Sequence, residues 1–275
     1  MRKPVIKPSE ISKPRFEFSQ AGIYKMMHLS KIISFTIIFM AFFQACNKSE
    51  TVVITENELE FISSDKINVS EASGLTINAA GSTLYTVSDN TSNIYELATD
   101  GTVIKEYVYN GNDVEGISMV SNNKMLLVEE RTKEIVEYDL SSKITKKHKI
   151  IYSNNDSNSG LEGIAIDLND NTIFILNEKN PGLLMRLRSD FSIIESYDLD
   201  FASDYSGVFY DKDLNILWIL SDESKTINKC SLKGVLINSY SINVIKAEGI
   251  AVTNNTIYIV SDSNSTLYKF KKPIE

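Results

Sequence analysis

Acidic residues recur in this chain at two fixed places, and any chemistry it performs should begin there. A closing column follows a short apolar run and holds Asp89, Glu130, Glu178, Asp222 and Asp262. An opening column stands one residue before a glycine: Glu115, Glu162 and Glu248, with Ser73 and Ser206 in the other two places. Asp and Glu fill only 36 of 275 positions, so an unbroken column of five acids is not an effect of composition. Carboxylates gathered at one spot repel by roughly 2–3 kcal/mol per pair at ~6 Å and an effective dielectric near ~20. Protonation, basic partners or a cation must offset that. Lys and Arg do not recur in these columns, although Arg131 and Lys179 adjoin two of them. A hard cation with oxygen ligands fits best, and Ca²⁺ accepts the irregular coordination that carboxylates and water offer. A plainer role stays open for the closing column, since acids beside turns also tie down loops by accepting backbone N–H bonds.

Other chemistries lack their residues. The two histidines are His28, near the N-terminus, and His148, inside a Lys146-Lys147-His148-Lys149 run expected on an outer strand. Neither is placed to act as a general base at the carboxylates, and His and Cys are too few for a zinc site. No phosphate-binding glycine loop occurs, and a net charge of −8 argues against nucleic acid as a partner.

The elements that must position these acids repeat. The glycines after the opening column are Gly74, Gly116, Gly163, Gly207 and Gly249, at intervals of 42, 47, 44 and 42 residues. A strand-rich period of this length is the signature of a β-propeller, here an all-β ring of five blades. Each unit carries a nearly continuous apolar run, such as Met125–Val128 or Ile216–Leu220, as expected of a strand buried on both faces. Alternating third strands follow (Ile94–Leu97, Ile135–Tyr138, Leu184–Leu187, Ile227–Cys230, Leu267–Phe270), then fourth strands near the rim. Cys230 reads as a small core residue rather than a reactive thiol, and Trp218 as core rather than a ligand platform. The last unit lacks a fourth strand, whereas the segment 62–74 aligns without a gap on 237–249. The N-terminal strand, from about residue 58 to 68, should therefore complete the last blade and remove its free edge. In propellers the start of the innermost strand and the end of the second share one face, so both acidic columns should converge at one mouth. The glycines belong there too, because neighbouring backbones crowd near the axis.

The N-terminal 45 residues read as an export signal. Basic and polar residues precede an apolar run, Ile32–Phe43, ending at Gln44-Ala45-Cys46. Twelve residues span ~18 Å as a helix, too short for a ~30 Å hydrocarbon core. With cysteine at the cut, this stretch resembles a bacterial lipoprotein signal, which implies a lipid on Cys46 anchoring the protein to the membrane. Met26 or Met27 would serve as the start of a normal short signal. Phe43 and Gln44 depart from the usual lipobox, and a cleaved soluble signal is the alternative. Residues 46–57 then form the lipidated cysteine and tether, and 58–275 the propeller domain.

The Glu-Gly-Ile/Leu openings, the Ser-Asp and Glu closings and the five units together resemble the SdiA-regulated family of bacterial envelope proteins over roughly residues 58–270. The resemblance implies calcium near the opening glutamates, foremost Glu115 and Glu162, and no established enzymatic activity. It also implies a place in the cell envelope; the protein is expected to be a monomer and an outer-membrane lipoprotein facing the periplasm or the surface. Two functions follow as expectations. The first is a calcium-binding, non-catalytic propeller lipoprotein that presents one face to a protein or glycan. The second is a metal-dependent hydrolase of lactones or phosphate esters, with a mouth carboxylate as base.

Overall fold

The computed structural model describes residues 57–153 and 159–274, and the export signal, Cys46 and most of the tether lie outside them. Among the described residues every regular element is a strand. After β1 (Asn57–Glu58) and β2 (Phe61–Lys66), the first blade comprises β3 (Ala72–Ile77), β4 (Thr83–Ser88), β5 (Ile94–Ala98) and β6 (Val103–Tyr107). The second comprises β7 (Val114–Ser121), β8 (Lys124–Glu129), β9 (Glu134–Asp139) and β10 (Thr145–Lys149). The third holds β11 (Leu161–Asp167), β12 (Thr172–Asn177), β13 (Leu183–Leu187) and β14 (Ile193–Asp198). The fourth holds β15 (Gly207–Asp211), β16 (Ile216–Ser221), β17 (Thr226–Cys230) and β18 (Leu236–Ser241). The last has β19 (Ala247–Val252), β20 (Thr256–Ser261) and β21 (Thr266–Lys271), with β2 as its outer strand.

The five antiparallel sheets form a ring, a five-bladed β-propeller, and β2 closes it by pairing with β21 from Phe61↔Phe270 to Lys66↔Thr266. The N-terminal segment divides in a way its sequence does not announce. Asn57–Glu58 pairs in parallel with β18 as a fifth strand of the fourth blade before the chain crosses to the last one.

The second strands are buried almost end to end, which accounts for their unbroken apolar sequence. Core clusters fill the space between neighbouring blades. One joins Trp218, Leu220 and Tyr240 of the fourth blade to Ile250, Ile257 and Phe270 of the last. Cys230 is wholly buried in another, beside Phe174, Leu184 and Leu217, as expected of a core residue.

The inner strands β3, β7, β11, β15 and β19 surround the axis, and the five glycines set how closely they approach. A methyl group at Gly116 would lie 2.2 Å from the Glu162 carbonyl oxygen, and one at Gly163 2.6 Å from the Val208 nitrogen. One at Gly249 would meet Gly74 backbone at 2.5 Å, and one at Gly74 the Glu115 carbonyl at 2.6 Å. Each glycine thus faces the backbone of the next blade, and the ring of five is the neck of the axis.

Candidate metal centre at the mouth of the ring

The three opening glutamates stand where the register between first and second strands slips. Val114 pairs with Glu129 and Gly116 with Val128, so Glu115 is the extra residue of a bulge. Glu248 stands likewise between the pairs Ala247↔Ser261 and Gly249↔Val260, and the slip from Leu161 to Ile164 takes in Glu162. A bulge bends the strand and re-aims the side chain it carries. Here it directs the glutamates to the end of the axis where the second strands finish and the closing acids stand.

The closing pairs divide the labour that the sequence left open. In every blade the residue before the closing acid is completely buried: Ser88, Glu129, Asn177, Ser221 and Ser261. These residues tie down the loops. Ser88 Oγ donates to Ser70 O at 2.6 Å, Ser261 Oγ to Ile245 O at 2.6 Å, and Asn177 Nδ2 to Pro181 O at 2.7 Å. Glu129 accepts from the Tyr109 hydroxyl at 2.8 Å and from Lys147. Two closing acids share in this work, because Glu130 accepts the Gly160 N–H at 2.7 Å and Asp222 the Ala247 N–H at 3.2 Å.

Among the described residues, carboxylates gather in three groups whose ligand oxygens lie within 4.8 Å of one another: Asp89–Asp113–Glu115, Glu130–Glu162–Glu178 and Glu178–Asp204–Glu223. Glu115 and Glu162, the foremost candidates from the sequence, thus fall in different groups. Asp222, Glu248 and Asp262 join none of the three. Lys246 lies 3.8 Å from Asp222 and 3.9 Å from Glu248, and its ammonium is further stabilised by Asp262. Sequence reasoning missed Asp113, Asp204 and Glu223. The first two occupy a third column, two residues before the opening, where the other blades carry Glu71, Gly160 and Lys246. That column was legible in part, whereas Glu223 follows Asp222 with no repeat behind it.

Basic partners offset some of the repulsion. Arg131 binds Asp113 at 2.8 Å, and Lys179 lies between Glu178 at 2.8 Å and Glu223 at 2.9 Å. Ser73 donates to Glu115 at 2.6 Å. Burial pushes the Glu115 carboxyl up to about 8 against that bond, and pushes Glu248 to about 8 despite Lys246. Burial, with Asp113 and Glu178 adding to it, raises Glu130 to about 7. Glu162 is the extreme case. It is 9% exposed, burial comes first among the causes, and Glu115, Glu130, Glu248 and Glu178 all push its carboxyl further above the ordinary range. Its carboxylate makes no hydrogen bond or ion pair among the described residues.

Residues 48–271 match the sequence profile of the SdiA-regulated family. The chain belongs to that family. Solved structures resemble this chain in fold, two of those below at TM-scores above 0.5. Glutaminyl cyclase from Myxococcus xanthus is 10% identical with a TM-score of 0.60, over 81% of this chain and all of that one. A nidogen/laminin complex is 10% identical with a TM-score of 0.51, over 69% of this chain and 72% of that one. Virginiamycin B lyase from Staphylococcus aureus is 20% identical with a TM-score of 0.46, over 78% and 75%. At these identities the likeness is one of fold.

Proposed function

We propose that this member of the SdiA-regulated family is a calcium-binding, non-catalytic propeller lipoprotein of the bacterial cell envelope that presents its acidic face to a partner. One observation carries the metal reading: Glu162, 9% exposed and without a hydrogen bond or ion pair among the described residues, lies with Glu130 and Glu178 at ligand distance. A buried anion left uncompensated costs several kcal/mol, and a hard cation shared by three carboxylates removes that cost. Glu130, Glu162 and Glu178 would hold the ion, with Glu115 and Glu248 adding to the negative field. Lys179 holds Glu178 by a half-buried ion pair, which a divalent ion would have to outcompete. When bound, calcium supplies charge neutralisation and cross-links blades two and three.

The non-catalytic reading has its own support. His148 lies on the outer strand β10, stacked on Phe191 with ring centroids 3.8 Å apart and bonded to Glu137 at 2.8 Å. It is committed to the rim. Calorimetric titration of the metal-free protein with Ca²⁺ tests the site: binding is expected, and Glu162→Gln together with Glu130→Gln should abolish it. Unchanged affinity in that variant refutes the site. The anchor is tested separately, by metabolic labelling with a fatty acid, which Cys46→Ala should eliminate.

A further inference from the structure

The opposite end of the axis has different chemistry. Below the glycine neck, the five inner strands enclose a cavity of about 720 Å³ that opens between the hairpins joining first and second strands. A volume of this size is typical of small-molecule sites, roughly 300–1,000 Å³. Its walls combine apolar surfaces, among them Ile77, Ile166, Phe209 and Tyr258, with the hydroxyls of Thr76 and Ser118. Around the opening stand amides, with Asn122, Asn169, Asn254 and Asn255 exposed. Each inner strand is also the edge of its sheet, so it turns unpaired backbone N–H and C=O groups toward the axis. The Met119 N–H already takes a hydroxyl there, bonding Thr76 Oγ1 at 3.4 Å.

The buried carboxylates of the cavity wall already accept hydrogen bonds within the protein. Asp211 is answered by Lys272 at 2.5 Å and by the Trp218 N–H at 3.1 Å. Asp167 accepts both the backbone and the side-chain N–H of Asn169 at 2.9 Å, while the Tyr210 hydroxyl donates to Asn215 Oδ1 at 3.0 Å. At the rim Lys212 and Asp213 are exposed to solvent. An anionic ligand would find no free cation among the buried lining residues, and a cationic one would compete with the hydrogen bonds that Asp167 and Asp211 already accept. A neutral ligand with hydroxyls around flat apolar faces would match amides, free strand edges and aromatic walls together.

We propose that this cavity binds a neutral polyhydroxylated molecule of mono- or disaccharide size. The site is independent of the calcium reading, because the glycine neck separates it from the carboxylates. Saturation-transfer NMR on the whole protein tests it with glucose, galactose, mannose and N-acetylglucosamine, and with glucuronate and glucosamine as charged comparisons. At least one neutral sugar should receive transfer and the charged ones little. Binding should weaken about tenfold in Phe209→Ala and in Asn122→Ala combined with Asn254→Ala. The asparagines are exposed, so the second variant keeps its fold, and circular dichroism verifies this for both. EDTA and Glu162→Gln should leave the signal intact. The proposal fails if no neutral sugar receives transfer, if the charged sugars bind equally well, if both folded variants bind normally, or if EDTA removes the signal.

Discussion

Lys272 gives the sharpest test of what holds the last blade to the fourth. It follows β21 in the last blade and reaches Asp211, at the end of β15 in the fourth, at 2.5 Å. Lys272 is 8% exposed and Asp211 5%. Burial alone would raise the Asp211 carboxyl, but Lys272 and the Trp218 N–H outweigh it and hold the group below the usual range. Lys272→Met leaves that carboxylate buried with only the Trp218 N–H and two weak backbone donors, at 3.2 and 3.4 Å. Removing one partner of a buried pair costs about 3–5 kcal/mol. For a domain of this size that lowers the melting temperature by about 6–20 °C. Combining Lys272→Met with Asp211→Asn removes both charges and keeps an oxygen for Trp218, so at least about 2 kcal/mol should return as a coupling energy. Trp218 is the single tryptophan of the chain, so its fluorescence reports directly on this contact during denaturation. The pH dependence has a definite sign. A depressed carboxyl contributes stability above its unfolded pKa, so this contribution is lost as acid takes the pH below about 4 toward the folded value. A loss under about 1 kcal/mol in Lys272→Met, or strict additivity in the double variant, would refute the argument.

Further outcomes follow from other parts of the ring. Gly116→Ala puts a methyl 2.2 Å from the Glu162 carbonyl and should cost about 3 kcal/mol or prevent folding, while Gly81→Ala, with its nearest atom at 3.6 Å, should cost about 1 kcal/mol; equal melting temperatures would contradict the glycine neck. Glu162→Gln should raise the melting temperature of the metal-free protein and abolish the upward shift that Ca²⁺ gives the wild type; a metal-free variant less stable than wild type would count against uncompensated charge at the mouth. Burial pushes the Cys230 thiol up, so thiol reagents should modify it only as the protein unfolds, and rapid labelling in native buffer would show that the blade opens.

The sequence by itself determined the blade count, the course of the strands and the closure by an N-terminal strand. It could do so because each blade repeats the same burial problem, and a repeated problem leaves a repeated pattern. The ten positions of the two acidic columns were legible for the same reason. Tertiary structure decided which acids meet. Groups such as Asp89–Asp113–Glu115 and Glu130–Glu162–Glu178 join residues of successive blades, and spacing along the chain carries no distance across that gap. It also transferred loop-tying from the closing acids to the buried residues before them, and it set Lys246 and Lys179 among carboxylates that are remote from them or merely adjacent in sequence. The parallel pairing of Asn57–Glu58 with the fourth blade and the Asp211–Lys272 contact carry no repeat at all. Each occurs once, where an end of the chain reaches back to the fourth blade, and a periodic sequence signal cannot register a contact made only there.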